Sequence, residues 1–322
     1  MNLIHRFQEL KTDKRFASYY GVFLLLFLAF LFWSIFRILS PENFGSLNNM
    51  SYYFQSSIIY SVGACGFYFI VIMGLFDFSI GANVVLSSIV GVVLSKHFGY
   101  AGLLIGCLVC GALIGFINGF LYVRLKIPSM IVTVGLMLIY ESLAYFVAQG
   151  QKQTLDPALR GFAKAPGNIL LALIVFVLAG LILKYTKIGT YCYAIGSNER
   201  MAENMGINVN RYKILGFVLL HFFVGVMAIL AVSYGTSMTA VTGMSSMARN
   251  FTPLMGCFFG VAFRKYCSPV IAIIIGEMII SIIFNGFVAL GAPTTIQNVI
   301  TGAALLIIVA STARAPRGAV VK

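Results

Sequence analysis

The 322-residue chain is 60% hydrophobic and only 10% charged, with a mean hydropathy of +0.96. A soluble domain carries about 25% charged residues, so there is too little polar material here to build a water-facing surface. The net charge of +13 comes from basic residues scattered between apolar runs, with no stripe that would follow a phosphate backbone, which excludes nucleic acid and leaves a lipid bilayer as the expected surrounding.

A bilayer core of about 30 Å takes around 20 apolar residues as helix. Met1 to Phe16 is mixed in charge and too polar for a signal peptide, and no small-residue cleavage site follows the first apolar run, 19–38. Residues 1–18 therefore read as a cytoplasmic segment. Further runs of spanning length fall near 54–75, 101–123, 129–148, 167–184, 214–233, 269–290 and 294–312. Two shorter ones, 80–95 and 251–263, are interrupted by Gly or Ser and read as short, broken or re-entrant helices. Counting both gives an all-α polytopic membrane protein of about ten transmembrane helices over 19–313, with a tail at 314–322 and both termini cytoplasmic. Lys and Arg agree, clustering at 6–15, 124–126, 184–213, 264–265 and 314–322; the opposite side holds Lys96, Lys152, Arg160, Lys164 and Arg249.

Polar residues inside apolar runs stand out, because a carboxylate at the bilayer centre costs about 2.5–3.5 kcal/mol on insertion scales. Asp77 and Ser79 precede the first short run; either caps the helix that follows, or both line a solute path. Asn118 and Asn285 sit within spans and need partners, from another helix or from a solute. Glu141 and Glu277 lie near span ends, where interfacial placement competes with a ligand role. His221 reads as a satisfied polar residue, since no second His or acid stands at helical spacing. Gly111, Gly115 and Gly119, with Gly102 and Gly106, include small-xxx-small steps that suit close helix packing. The six cysteines show no metal spacing; Cys107-Leu-Val-Cys110 lies mid-span and reads as apolar packing. No catalytic residue and no metal ligand set is found.

The chain also repeats itself. Phe116-Ile117-Asn118-Gly119-Phe120 resembles Ile283-Phe284-Asn285-Gly286-Phe287, and the same offset of 167 residues relates Gly135 to Gly302 and Leu138 to Leu305. Five spans separate the copies, an odd number, so they run in opposite directions: the inverted repeat from which many transporters build a midplane path.

The longest polar stretch between spans is the cytoplasmic loop 186–213. Ser197 or Asn198 caps a short helix that runs to about Met205, and Gly206 stops it. Ala202 and Met205 are expected to face a partner while Glu199, Arg200 and Glu203 stay in water.

In this loop and elsewhere the chain resembles the ribose-type permeases of bacterial ATP-binding-cassette (ABC) importers, which carry sugars, autoinducers and nucleosides. The resemblance rests on Asp77-Phe-Ser79-Ile-Gly81, Gly115-Phe-Ile-Asn118-Gly119, Lys126-Ile-Pro128-Ser-Met-Ile131-Val-Thr133-Val-Gly135, Thr186-Lys-Ile-Gly189, Ala194-Ile-Gly196-Ser-Asn198 and Gly206-Ile-Asn-Val. It implies an inner-membrane permease, homodimeric or paired with a second permease chain, served by cytoplasmic ABC ATPase subunits and an extracytoplasmic solute-binding protein. Gly196, Asn198, Ala202, Met205 and Gly206 are then the ATPase-coupling residues, and Asp77, Ser79, Asn118 and Asn285 the substrate pathway. The chain has no GxxxxGK[ST] stretch, so ATP and Mg belong to the partner; the chain is not an enzyme and needs no cofactor. One departure is notable: the family's glycine-rich second-half stretch is replaced by Leu254-Met-Gly256-Cys-Phe258-Phe259-Gly260, which bears on the substrate and on dimer symmetry. The rival reading is an ion-coupled secondary transporter using Asp77, Glu141 or Glu277; it gives no reason for the loop.

Overall fold

A computed structural model describes residues 14–293 and isolated positions between 296 and 306; the expected span 294–312 and the terminal tails lie outside the described residues. The helices are α1 (Lys14–Leu39), α2 (Leu47–Val71), α3 (Ile80–Leu125), α4 (Ser129–Ala148), α5 (Gly167–Tyr185), α6 (Lys187–Ser197), α7 (Glu199–Asn204), α8 (Val209–Gly235), α9 (Phe251–Phe263) and α10 (Pro269–Ala289). Two two-residue strands, β1 (Gln153–Thr154) and β2 (Ser237–Met238), pair antiparallel. Among the described residues seven helices are long and apolar enough to cross a membrane.

One of the seven is two. Gly99 leaves helical geometry (φ 56°, ψ −137°) inside α3, a left-handed φ that glycine adopts without strain. The chain reverses there, so the short run expected at 80–95 becomes the first arm of a hairpin and 100–125 the second. The arms touch through glycine: Gly106 lies against the Gly91 backbone, 3.0 Å from an ideal Cβ, and Gly102 against the Leu94 carbonyl. The other short run, 251–263, is the 13-residue α9, too short to cross a bilayer alone at 1.5 Å per residue.

The chain divides into two compact units, residues 55–254 and residues 1–54 with 255–322. In the first unit the second arm of α3 packs along α8 at close range. Gly111 stands against the His221 carbonyl, Gly115 against that of Phe217, and Gly119 against Ile214, where a Cβ would meet Cα at 2.8 Å. Gly225 of α8 returns the contact against the Cys107 carbonyl at 2.7 Å. These glycines let two backbones approach where lipid offers no hydrophobic drive to push helices together.

In the second unit α1 packs on α10 around Leu25, Cys267, Ala272 and Ile279, and farther along around Phe36, Phe44, Tyr53 and Ile282. The Phe36 ring lies edge-on to Phe287 at 5.1 Å and over Gly286. Phe259, bulky where the resembled family is small, is accommodated by Gly276, whose ideal Cβ would lie 2.5 Å from its ring. The buried Glu277 lies over Gly256, so it is inside the unit, about two turns from the start of α10 and three from its end.

Candidate functional site

The segment between α2 and α3 has no helix of its own to satisfy its backbone, so side chains from elsewhere do so, as an apolar surrounding requires. Ser129 Oγ accepts from Phe76 N and Thr133 Oγ1 from Phe78 N, both at 3.0 Å. Asn250 closes the far end: its amide nitrogen donates to Phe78 O, and its Oδ1 accepts from Gly81 N, each at 2.5 Å. Phe76 packs on Phe67 and Phe78, with ring centroids 5.3 and 4.8 Å away. The offset of 167 residues also relates Ser79 to Ser246 and Asn83 to Asn250.

Held this way, Asp77 becomes the centre of a buried polar network. Its Oδ1 accepts from Ser79 N and Ser79 Oγ at 2.6 and 2.7 Å. Its Oδ2 accepts from Asn118 Nδ2 at 2.9 Å and from His221 Nε2 at 2.8 Å. Asn118 Nδ2 also reaches Ser79 Oγ, and Tyr140 donates its hydroxyl to Asn118 Oδ1, both at 2.7 Å. Asn83 Nδ2 meets His221 Nδ1 at 2.7 Å, and Ser87 Oγ donates to Asn83 Oδ1 at 2.5 Å. Asn118 Nδ2 also lies 2.9 Å from His221 Nε2; the tautomer with its proton on Nε2 accepts from Asn83 at Nδ1 and donates to Asp77. Asp77, Ser79, Asn83, Asn118 and His221 are all 0% exposed.

Asp77 therefore forms the local turn before α3 and also gathers long-range donors; Ser79, at the N-cap position, makes no side-chain cap bond. Three of the four expected path residues meet here, closed off from solvent. The fourth, Asn285, belongs to the other unit, where it donates to its own helix at Ser281 O, 2.8 Å away. Sequence reading missed Asn83 and Tyr140, and it saw His221 only as satisfied. The acid that satisfies His221 lies 144 residues away, beyond any helical spacing; a lone His in an apolar run was the one available signal.

The remaining acids do not converge on this network. Glu141, expected near a span end, is buried within α4, where its two oxygens accept from Met244 N and Ser246 N at 2.9 and 2.8 Å. It fixes the loop 236–250. Among the described residues no three His, Cys, Asp or Glu side chains gather as a metal site.

Next to the network, along α3, lies a cavity of about 340 Å³, within the range of small-molecule sites. Val84 lines it, and the neighbouring Asn83 belongs to the network. Its polar wall is Ser56, Tyr60, Tyr234, Ser237, Thr239 and Arg249, contributed by α2, α8 and the loop 236–250.

A second feature is the pair α6–α7. Asn198 caps α7 by accepting from Met201 N at 3.1 Å, and Gly206 follows it at φ +81°. Gly196 presses on the Ile72 carbonyl, and Glu199 pairs with Lys213 at the base of α8 at 2.7 Å. The expectation that Ala202 faces outward with Met205 is corrected: Ala202 is 2% exposed, while Met201 and Met205 are 60% and 72% exposed. The Ala202 amide and carbonyl anchor the chain entering and leaving this turn, bonding Asn198 O and Ile207 N, and that turns its methyl inward. Burial also pushes the Cys192 thiol in α6 up to about 12.

The chain matches the family described as branched-chain amino acid transport system / permease component over residues 49–309. It is 26% identical over 298 residues to the ribose import permease protein RbsC of Escherichia coli K12, covering 86% of this chain and 88% of that one. It is 28% identical over 304 residues to the L-arabinose transport system permease protein AraH of the same organism, covering 91% and 89%. With the autoinducer 2 import system permease protein LsrC of Yersinia pseudotuberculosis it shares 26% over 277 residues, covering 82% and 77%. No solved structure matches the chain.

Proposed function

The chain belongs to the permease-component family, and we propose that it is the membrane subunit of an ATP-driven importer for a small polyhydroxylated solute such as a sugar. The relatives named for ribose, L-arabinose and autoinducer 2 support that solute class. Cytoplasmic ABC ATPases bind and hydrolyse ATP with Mg, an extracytoplasmic binding protein delivers the solute, and a second permease chain completes the path. The chain sits in the bacterial inner membrane with both termini cytoplasmic and performs no catalysis itself.

The observation that carries this reading is α6–α7. Two short helices tied to the connector after α2 through Gly196 and to α8 through Glu199–Lys213 present the exposed Met201 and Met205 to a partner. Adaptable methionine side chains suit a docking surface, and the ties pass motion of that surface into the helices that enclose the polar network and the cavity. In the conformation described, Asp77, Ser79 and Asn118 form a closed polar partition beside the cavity; in the transport cycle this partition is what opens.

Detergent pull-down of the chain from its native membrane tests the reading. A Walker-motif ATPase is expected to co-purify and to be lost when Met205→Glu places a charge on the exposed surface. A second permease chain in the same eluate distinguishes a heterodimer from a homodimer. A homo-oligomer free of any ATPase would overturn the importer reading.

A further inference from the structure

The importer reading leaves open the chemical class of the solute, and the cavity beside α3 bears on it. Its lining includes Ser56, Tyr60, Tyr234, Ser237 and Thr239, residues whose hydroxyl groups can donate to and accept from the hydroxyls of a sugar ring. The two tyrosines also offer ring faces. The one charged group is Arg249, and no carboxylate lines the cavity. Among the described residues its guanidinium makes no ion pair.

The backbone that carries Arg249 is fixed, while its side chain is exposed at the cavity rim. Neighbouring Asn250 is fastened to Phe78 O and Gly81 N. Gly81 allows the loop to close onto it at Ser246 and at Arg249 Cβ, 3.1 Å from an ideal glycine Cβ. Glu141 of α4, which reaches this loop, has its two oxygens on the Met244 and Ser246 amides and makes no ion pair with Arg249. A neutral sugar closing over the cavity would strip water from the guanidinium and give no charge in return. A carboxylate would accept from it in a two-pronged, charge-assisted pair. A phosphate, with nearly two charges, would need more than one cation.

We propose that this cavity binds a monosaccharide-sized sugar acid, with its carboxylate on Arg249 and its hydroxyls on the serine, threonine and tyrosine wall. This rests on the importer reading for its role in transport, but the binding itself is measurable separately. The full-length chain in nanodiscs is titrated with radiolabelled D-galacturonate and D-gluconate, and with the neutral D-galactose and D-ribose. The acids are expected to bind about tenfold or more tighter than the neutral sugars. Arg249→Gln erases the difference, Arg249→Lys keeps part of it, and neither changes the thermal stability of the chain. Equal binding of acids and neutral sugars, a preference that survives in Arg249→Gln, or no binding of any probe overturns the proposal. ATPase co-purification from the same preparation separates the two ideas. An ATPase without acid preference removes only the sugar-acid assignment, whereas acid preference without an ATPase removes only the importer.

Discussion

Replacing His221 by Phe tests whether the network around Asp77 holds the first unit together. The substitution keeps a flat ring of similar size in a fully buried position and removes both ring nitrogens. Asp77 Oδ2 loses a donor at 2.8 Å, and Asn83 Nδ2 loses its acceptor at 2.7 Å and keeps only the residue 221 carbonyl at 3.4 Å. A hydrogen bond to a charged group contributes about 1.5–3 kcal/mol, and a poorly satisfied buried amide costs about 1–3 kcal/mol more. The sum, about 2.5–6 kcal/mol, brackets the range of about 3–5 kcal/mol for breaking a buried pair on one side. Asp77→Asn should act through the same contact: its new amide would face the donors of Asn118 and His221. The double variant Asp77→Asn/His221→Phe should then cost clearly less than the sum of the singles, by about 1–3 kcal/mol. Equilibrium unfolding by titration with a denaturing detergent, followed by the circular dichroism of the helices, reads all three. A loss below about 1 kcal/mol for His221→Phe, or strict additivity in the double variant, would refute the reasoning.

Other outcomes follow from single contacts. Gly111→Ala drives a methyl into the His221 carbonyl, whereas a Cβ at Gly135 meets nothing within 4 Å; the first should cost about 1–3 kcal/mol and the second should be neutral or slightly stabilising, by the same unfolding assay. Glu141→Ala removes the acceptor of Met244 N and Ser246 N, so amide exchange over 244–250 should quicken about tenfold or more while exchange in α5 is unchanged. Cys192 is buried, with its thiol pushed up to about 12. The reactive thiolate is therefore scarce at pH 8, and maleimide should label Cys192 only after unfolding, as mass spectrometry of the peptide would read.

The membrane class, the long helices and the cap of α7 were legible because each is written locally: apolar runs of bilayer length, and an Asn three residues before the amide it accepts. The hairpin in α3 was legible as two runs, 80–95 and 101–123, parted by Lys96 and His97. That its turn is a single glycine with helix on both sides was not, because hydropathy does not report a backbone angle. The site was legible in fragments. Asp77, Ser79 and Asn118 stood out as polar residues in apolar sequence, but Tyr140 and Asn83 resemble ordinary span residues until the fold brings Tyr140 onto Asn118 and Asn83 onto His221. Ala202 was misjudged because helical periodicity gives a face without saying which face meets the rest of the chain. Arg249 was assigned only to a loop; its importance depends on the empty volume beside it, which no linear pattern encodes.

The run from Ile72 to Gly81 touches, in turn, Gly196 in α6, Ser129 and Thr133 in α4, and Asn250 beside the cavity. Residues 72–74 are a turn and 75–79 are non-helical, so this is a folded connector whose backbone is clamped by side chains of other elements. Asp77 lies in the middle of it. A connector held at so many points has little freedom of its own, so a displacement at the α6 end would reach the partition and the rim of the cavity together.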